Sequence, residues 1–203
     1  MFKEFQMKRI VVATQNKGKV REIKEMLEGL PVEVKTMGEV GVDIDVEETG
    51  STFEENAVLK AEAISKITDA LVIADDSGLE IDYLNKEPGV YSARYLGKDT
   101  PYEVKNQIIL DRLKDVPKEK RTARFVCAMA ICEAHQETFI TRGSLEGYIG
   151  YQSEGNNGFG YDPIFFVDEL GTSTANISME EKNKISHRAK ALKQIIEKIK
   201  ERI

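Results

Sequence analysis

No stretch of this chain approaches the roughly 18 consecutive apolar residues that a membrane-spanning helix needs, and its first ten residues (MFKEFQMKRI) lack the hydrophobic centre of a signal peptide. The expectation is a cytoplasmic protein with no membrane partner. Cysteine is scarce: Cys127 and Cys132 lie five positions apart, which on a strand points them to opposite faces, and no CxxC spacing occurs. That argues against a disulfide or a zinc site and for buried thiols in a reducing compartment. His135 has no ligand-spaced neighbour and reads as a surface residue. A basic excess is also missing. With a formal net charge of -6, the chain is a poor candidate for a nucleic-acid partner, because neutralising phosphates along a strand needs clustered Lys and Arg. Repeats, low-complexity segments and linkers are absent too.

What is present is a 203-residue chain, 41% hydrophobic and 32% charged, sufficient for a substantial buried core. It reads as one domain over residues 7–203, preceded by a dispensable extension at residues 1–6, since Met7 stands directly before the first strand. The charge is uneven. From Met179 to Ile203 the chain carries eight Lys or Arg against four Asp or Glu, so an acidic body ends in a basic segment. That distribution suits a small phosphate ligand accompanied by a metal ion.

Periodicity predicts a strand over Arg9–Ala13, a helix over Lys17–Leu30, a strand over Val32–Lys35 and a helix over Thr52–Ile67, with Ser51 or Thr52 as cap and Phe53, Ala57, Ile64 and Ile67 facing the core. A buried strand, Leu71–Ala74, is expected to end in two aspartates. Pro101–Leu113 reads as a helix behind a Thr100 cap. Strands are then expected at Arg124–Glu133, Thr138–Arg142, Leu145–Gly150 and Ile164–Val167. A closing helix, Ser186–Arg202, would bury Ala189, Leu192, Ile196, Ile199 and Ile203. Helices alternate with strands early and strands cluster late, which favours an α/β fold with a mixed sheet over a purely parallel one.

Several segments could carry chemistry. Thr14-Gln15-Asn16-Lys17-Gly18-Lys19 joins the first strand to its helix, where helix-end N–H groups favour an anion. It is not a Walker A loop, lacking the leading Gly and the trailing Ser or Thr, and an ordinary turn with surface lysines remains open. Asp75-Asp76-Ser77-Gly78 would bring two carboxylates to the end of a strand, where open α/β folds bind ligands. Adjacent strand residues face opposite ways, so one aspartate should point into a cleft and the other bond the local backbone as a turn former; a turn without chemistry is the alternative. Glu47-Glu48 adds acid upstream, and magnesium takes one or two carboxylates plus substrate phosphates. Gly158-Phe159-Gly160-Tyr161-Asp162 offers a flexible backbone with two aromatics, either a base-stacking platform or a loop with Tyr161 in the core. Lys182 to Arg188 sets cations before the last helix, against the helix dipole, which suggests an anionic or polar ligand nearby or simple solubility.

Six segments taken together, namely 14–19, Gly50-Ser51-Thr52-Phe53-Glu54-Glu55-Asn56-Ala57, 75–79, Pro88-Gly89-Val90-Tyr91-Ser92-Ala93-Arg94, 158–163 and Ser186-His187-Arg188, occur in the order and near the spacing of one family. From about Lys8 onward the chain resembles the inosine triphosphate pyrophosphatase family. The resemblance implies hydrolysis of a non-standard purine nucleoside triphosphate (ITP, dITP, XTP) to the monophosphate and pyrophosphate, a requirement for Mg2+, and a homodimer. It implies that Thr14, Gln15, Asn16, Lys17, Gly18 and Lys19 bind the triphosphate, with Lys60 a secondary candidate. Glu47 and Asp76 would hold magnesium, and Asp76, with Lys19 beside it, would be catalytic. Ser77 would touch substrate, Phe159, Gly160, Tyr161 and Asp162 would flank base and sugar, and Lys182, His187 and Arg188 would complete the pocket. The fold expected is α/β, with a mixed, elongated twisted sheet flanked by helices and two lobes enclosing an active-site cleft.

Overall fold

The computed structural model describes residues 7–202; the 1–6 extension and Ile203 lie outside that range. Seven strands form one mixed sheet in the order β2-β1-β3-β4-β5-β6-β7. They are β1 (Lys8–Val12), β2 (Val32–Thr36), β3 (Leu71–Ile81), β4 (Thr122–Cys132), β5 (Phe139–Ile149), β6 (Phe165–Val167) and β7 (Thr172–Ser173). β1 pairs in parallel with both β2 and β3, whereas β6 runs antiparallel to β5 and β7. Helices α1 (Lys17–Leu27), α2 (Phe53–Ser65), α3 (Tyr102–Arg112), α4 (Met179–Ile185) and α5 (His187–Lys200) complete the fold. The architecture is the mixed α/β one expected.

The chain divides into two compact units. The first comprises residues up to Asp76 with Ala128–Arg142 and the segment from Ala191 onward. Its core is built from Ile10, Val11 and Val12 of β1, Leu71, Val72 and Ile73 of β3, and the apolar faces of α1, α2 and α5. The second comprises Ser77–Cys127 and Gly143–Lys190, with a core that includes Leu79, Ile109, Leu113, Phe125, Tyr161 and Phe165. In this second unit Arg121 is wholly buried, its guanidinium donating to the carbonyls of Leu113, Val116, Ile149 and Gly150. One side chain thereby satisfies four carbonyls where α3 ends and β5 finishes.

Local chemistry accounts for the element ends. Asn16 caps α1, its Oδ1 accepting from the N–H groups of Gly18 and Lys19, and Thr52 caps α2 through Glu55 N–H. Ser178 and Glu181 form a reciprocal capping box that starts α4, a helix the periodicity reading had merged into the approach to α5.

Other expectations need correction. The helix expected to begin behind Thr100 is N-capped by Pro101 without a side-chain bond, and the Thr100 hydroxyl donates to Leu96 O instead. Ile67 lies beyond the end of α2 and is exposed, and on α5 it is Ile195, not Ile196, that is fully buried. The two strands expected at Thr138–Arg142 and Leu145–Gly150 are one strand, because the chain passes through Gly143-Ser144 extended. The strand expected to end at Ala74 continues to Ile81. Asp75-Asp76-Ser77-Gly78 is therefore strand interior and not a turn. Both cysteines are buried and unbridged, and His135 is exposed.

Candidate active site

Asp75 and Asp76 are 1% and 5% exposed in the middle of β3, so each carboxylate must be compensated by other groups. The pleat sends them to opposite faces. Asp75 Oδ2 meets Lys19 Nζ from α1 at 3.1 Å. Asp76 Oδ2 accepts from Asn56 Nδ2 of α2 at 3.0 Å, and Lys60 Nζ lies 3.9 Å from Asp76 Oδ1. Asn56 and Lys60 are one helical turn apart and so share a face of α2.

The same two side chains also hold the acidic loop before α2. Asn56 Oδ1 accepts from Gly50 N–H at 2.8 Å; a Cβ on Gly50 would sit 2.7 Å from that oxygen, so the approach requires glycine. Lys60 Nζ donates to Glu48 Oε1 at 2.6 Å and to the Asp75 carbonyl at 2.7 Å. Burial raises the Asp76 carboxyl above the ordinary aspartate range and the charge of Glu48 adds to this, while Lys60, Lys19 and Asn56 oppose it. Burial works against the Lys60 ammonium, but Asp76, Asp75 and Glu48 outweigh it and hold its pKa above the usual lysine value.

Glu47, given by the resemblance as a metal ligand, is exposed, and it is Glu48 that joins the Asp76 group. Among the described residues no three His, Cys, Asp or Glu side chains converge as a closed metal cage. In the β1–α1 loop, Gln15 and Lys17 are exposed, whereas Thr14, Asn16, Gly18 and Lys19 are half-buried. Thr14 Oγ1 accepts from Asn16 N–H at 3.2 Å. Thr14, Gln15 and Lys17 also edge a concavity of about 710 Å³ over the outer face of α1, floored by Val20, Met37 and Val42.

In the second unit the 158–162 loop is built around a buried carboxylate. Asp162, 2% exposed, accepts from Phe159 N–H at 2.8 Å and from Lys182 Nζ at 2.6 Å on Oδ2, and from Thr174 Oγ1 at 2.8 Å on Oδ1. Gly158 has φ of 73°, and a Cβ there would fall 2.1 Å from Asp162 Oδ2, so only glycine fits. Tyr161 belongs to the core: it is 4% exposed, its hydroxyl donates to Ser92 O at 2.7 Å, and burial pushes its phenol far above the usual range.

Phe159 is the half-exposed aromatic of the loop, with Lys182 Nζ 4.8 Å and Arg188 Cζ 5.8 Å from its ring centroid. Arg188 Nη2 donates to Ser77 Oγ at 2.9 Å. His187 is 5% exposed and stacks on Phe125 with centroids 4.9 Å apart. The sequence-predicted residues thus fall into two constellations: Lys19, Lys60 and Asp76 in the first unit, and Ser77, Phe159, Gly160, Asp162, Lys182 and Arg188 in the second. Sequence reasoning singles out the Glu47-Glu48 pair but assigns the metal to Glu47, gives Asn56 no role, and misses α4.

The first unit thus carries a buried, cation-braced aspartate on the third strand of a mixed α/β sheet, and the second an aromatic loop walled by cations. The chain belongs to the Ham1 family, whose pattern it matches over residues 10–198. It is 54% identical to the dITP/XTP pyrophosphatase of Bacillus licheniformis over 93% of this chain and 96% of that one, and 50% identical to the dITP/XTP pyrophosphatase of Bacillus subtilis over the same shares. Among solved structures, the Staphylococcus aureus Ham1 protein aligns with a TM-score of 0.86 at 42% identity, covering 97% of this chain and all of that one. A Coxiella burnetii HAM1 protein gives the same score and identity over 96% of this chain.

Proposed function

We propose that this chain hydrolyses non-standard purine nucleoside triphosphates, dITP, ITP and XTP, to the monophosphate and pyrophosphate, and so keeps them out of DNA and RNA. The observation that carries the reading is the Asp76 carboxylate, buried on β3, raised by its surroundings and held by Asn56 and Lys60, in a chain half identical to dITP/XTP pyrophosphatases.

The donor set fits a magnesium ion. Asp76 and Glu48 are like charges in partial burial, a situation a divalent cation relieves, and magnesium takes one or two carboxylates with substrate phosphates supplying the rest. When bound, that ion would neutralise charge on the phosphates and polarise the α-phosphorus. Glu47 and Glu48 both stand in the loop that would supply the second carboxylate.

Asp76 would accept the proton of the attacking water, since a desolvated carboxylate is a stronger base than a solvated one. The water oxygen bonds to the α-phosphorus, the bond from that phosphorus to the bridging oxygen breaks, and pyrophosphate departs with the electron pair. Lys19, Lys60 and the Thr14–Lys17 stretch would take the phosphate charge. Asn16 would act first as the cap that orients Lys19.

Phe159 would stack on the base. Arg188, which can only donate, would suit the 6-oxo acceptor of hypoxanthine or xanthine and oppose the 6-amino group of adenine. An unpaired buried donor costs about 1 to 3 kcal/mol, which is the scale of discrimination available from one such contact. Lys182, neutralised by Asp162, would shape the pocket, as would Ser77, which accepts from Arg188, and His187, stacked on Phe125.

The test is pyrophosphate release from ITP, dITP, XTP, GTP and ATP, with and without magnesium, by the wild type and by Asp76→Asn. Metal-dependent cleavage of the first three that disappears in the variant supports the reading; no cleavage of any of them overturns it. A homodimer in the cytoplasm is the assembly and location we propose alongside it, checked by light scattering of the purified protein and by fractionation.

A further inference from the structure

Helix α3 was given no role by its sequence, yet within the second unit it touches the aromatic loop at two points and the segment that receives the Tyr161 hydroxyl at a third. Asn106 Nδ2 donates to the Gly160 carbonyl at 3.1 Å. One turn earlier, the Tyr102 ring packs edge-on against Tyr161, with centroids 5.1 Å apart and planes at 89°. Lys105 Nζ donates to Ala93 O at 2.8 Å, next to Ser92, whose carbonyl receives the Tyr161 hydroxyl.

Gly160 has φ of 67°, and a Cβ there would meet only Tyr102 ring carbons at 3.5 Å or more. Space is therefore not what demands glycine; the left-handed backbone is. That conformation turns the Gly160 carbonyl toward α3. Asn106 is 4% exposed, and its Oδ1 is buried with no hydrogen-bond partner among the described residues. A buried orphan acceptor is an expense a purely structural position avoids, because an apolar residue of similar shape would serve it better.

We propose that Asn106 is a positioning residue for base recognition: its bond to the Gly160 carbonyl fixes the left-handed turn between Phe159 and Tyr161 and so sets the plane on which a 6-oxopurine stacks. The proposal rests on the reading that Phe159 carries the base. Asp162 holds the same loop through Phe159 N–H, so Asp162 fixes the peptide entering Phe159 and Asn106 the peptide leaving Gly160.

The experiment is calorimetric titration with inosine monophosphate in metal-free buffer, on wild type, Asn106→Leu, Asn106→Asp and Phe159→Ala, together with melting curves and ITP kinetics. Asn106→Leu is expected to weaken the monophosphate about tenfold, equal to about 1.4 kcal/mol, and to raise the KM for ITP more than it lowers kcat. Its melting temperature should change little, since the substitution also removes the orphan oxygen. A folded Asn106→Leu that binds like wild type overturns the proposal. If that variant does not fold, Asn106→Asp, with the same shape and no Nδ2 donor, decides in the same way. Phe159→Ala with undiminished affinity overturns the underlying reading of the base site; weakened Phe159→Ala beside an unaffected Asn106 variant overturns only the positioning role.

Discussion

The two units hold their candidate residues by opposite means. In the first, half-buried lysines brace buried aspartates and a half-buried glutamate: Lys60 alone faces Glu48, Asp76 and the Asp75 carbonyl. In the second, the loop is set by backbone geometry and neutral contacts, with an enclosed ion pair, Asp162 and Lys182, at its centre. A charge-braced group can trade a lysine contact for a phosphate or a metal without changing its fold. A loop pinned by glycine dihedrals and enclosed bonds keeps one shape, which is what a base-shaped pocket requires. Reactivity should therefore be the vulnerable property of the first constellation, and shape and stability those of the second.

The largest break in that comparison is Asp76→Asn. It keeps shape and removes the proton acceptor, so kcat should fall by about 10³-fold or more. Melting temperature should hold or rise, because a desolvated carboxylate is exchanged for a neutral amide. A variant with near-wild-type turnover would remove Asp76 from the chemistry.

Next comes Lys182→Met, the corresponding blow to the second constellation. Lys182 and Asp162 are 5% and 2% exposed, and stripping one partner from a buried pair costs about 3 kcal/mol or more. Here stability should drop steeply in denaturant titrations. If Lys182→Met melted like wild type while losing turnover, the pair would belong to the chemistry and the contrast between the units would fail.

A finer division concerns the acidic loop. Glu48 is bonded to Lys60, whereas Glu47 is exposed. If the Asp76 group recruits the metal, Glu48→Gln should raise the magnesium concentration needed for half-maximal rate by ~10-fold, and Glu47→Gln by less. The reverse order would return the role to Glu47 and mean that the loop rearranges when substrate arrives.

How far the sequence revealed this arrangement depends on whether local chemistry or tertiary compensation decided each element. β1, α1 and α2 were legible because apolar spacing carried them, with Thr52 as the expected cap of α2: Ile23, Leu27, Ala57 and Ile64 fall on buried faces. The strand through Asp75-Asp76-Ser77-Gly78 was not legible, since two adjacent aspartates and a glycine carry turn propensity. Lys19, Asn56 and Lys60, distant in sequence, override that propensity. Gly143 misled in the same way within β5. For the candidate site, motif order brought Lys19, Lys60 and Asp76 forward, and the structure groups them, but which of two neighbouring glutamates turns toward Asp76 is a matter of one side-chain direction. Nothing in a Glu-Glu pair encodes that.

The smallest expected effect tests whether charge bracing also matters in the second unit, away from its aromatic loop. Asp82 is worked on by burial, which raises its carboxyl, and more strongly in sum by hydrogen bonds from Lys86, Thr122 and Arg124, which hold it well below the usual aspartate range. A folded-state pKa below the unfolded value near 4 means that the stabilisation is present above that value and is lost as pH falls through the folded one. The side chain is 31% exposed, and solvent screening should keep its contribution to about 1 kcal/mol. Asp82→Asn should therefore lower stability slightly at neutral pH, and wild type and variant should converge as the pH is taken below 4. Curves that stay parallel down to pH 2 would mean that the network merely decorates the surface; a gap well above 1 kcal/mol at pH 7 would mean that the second unit relies on charge as heavily as the first.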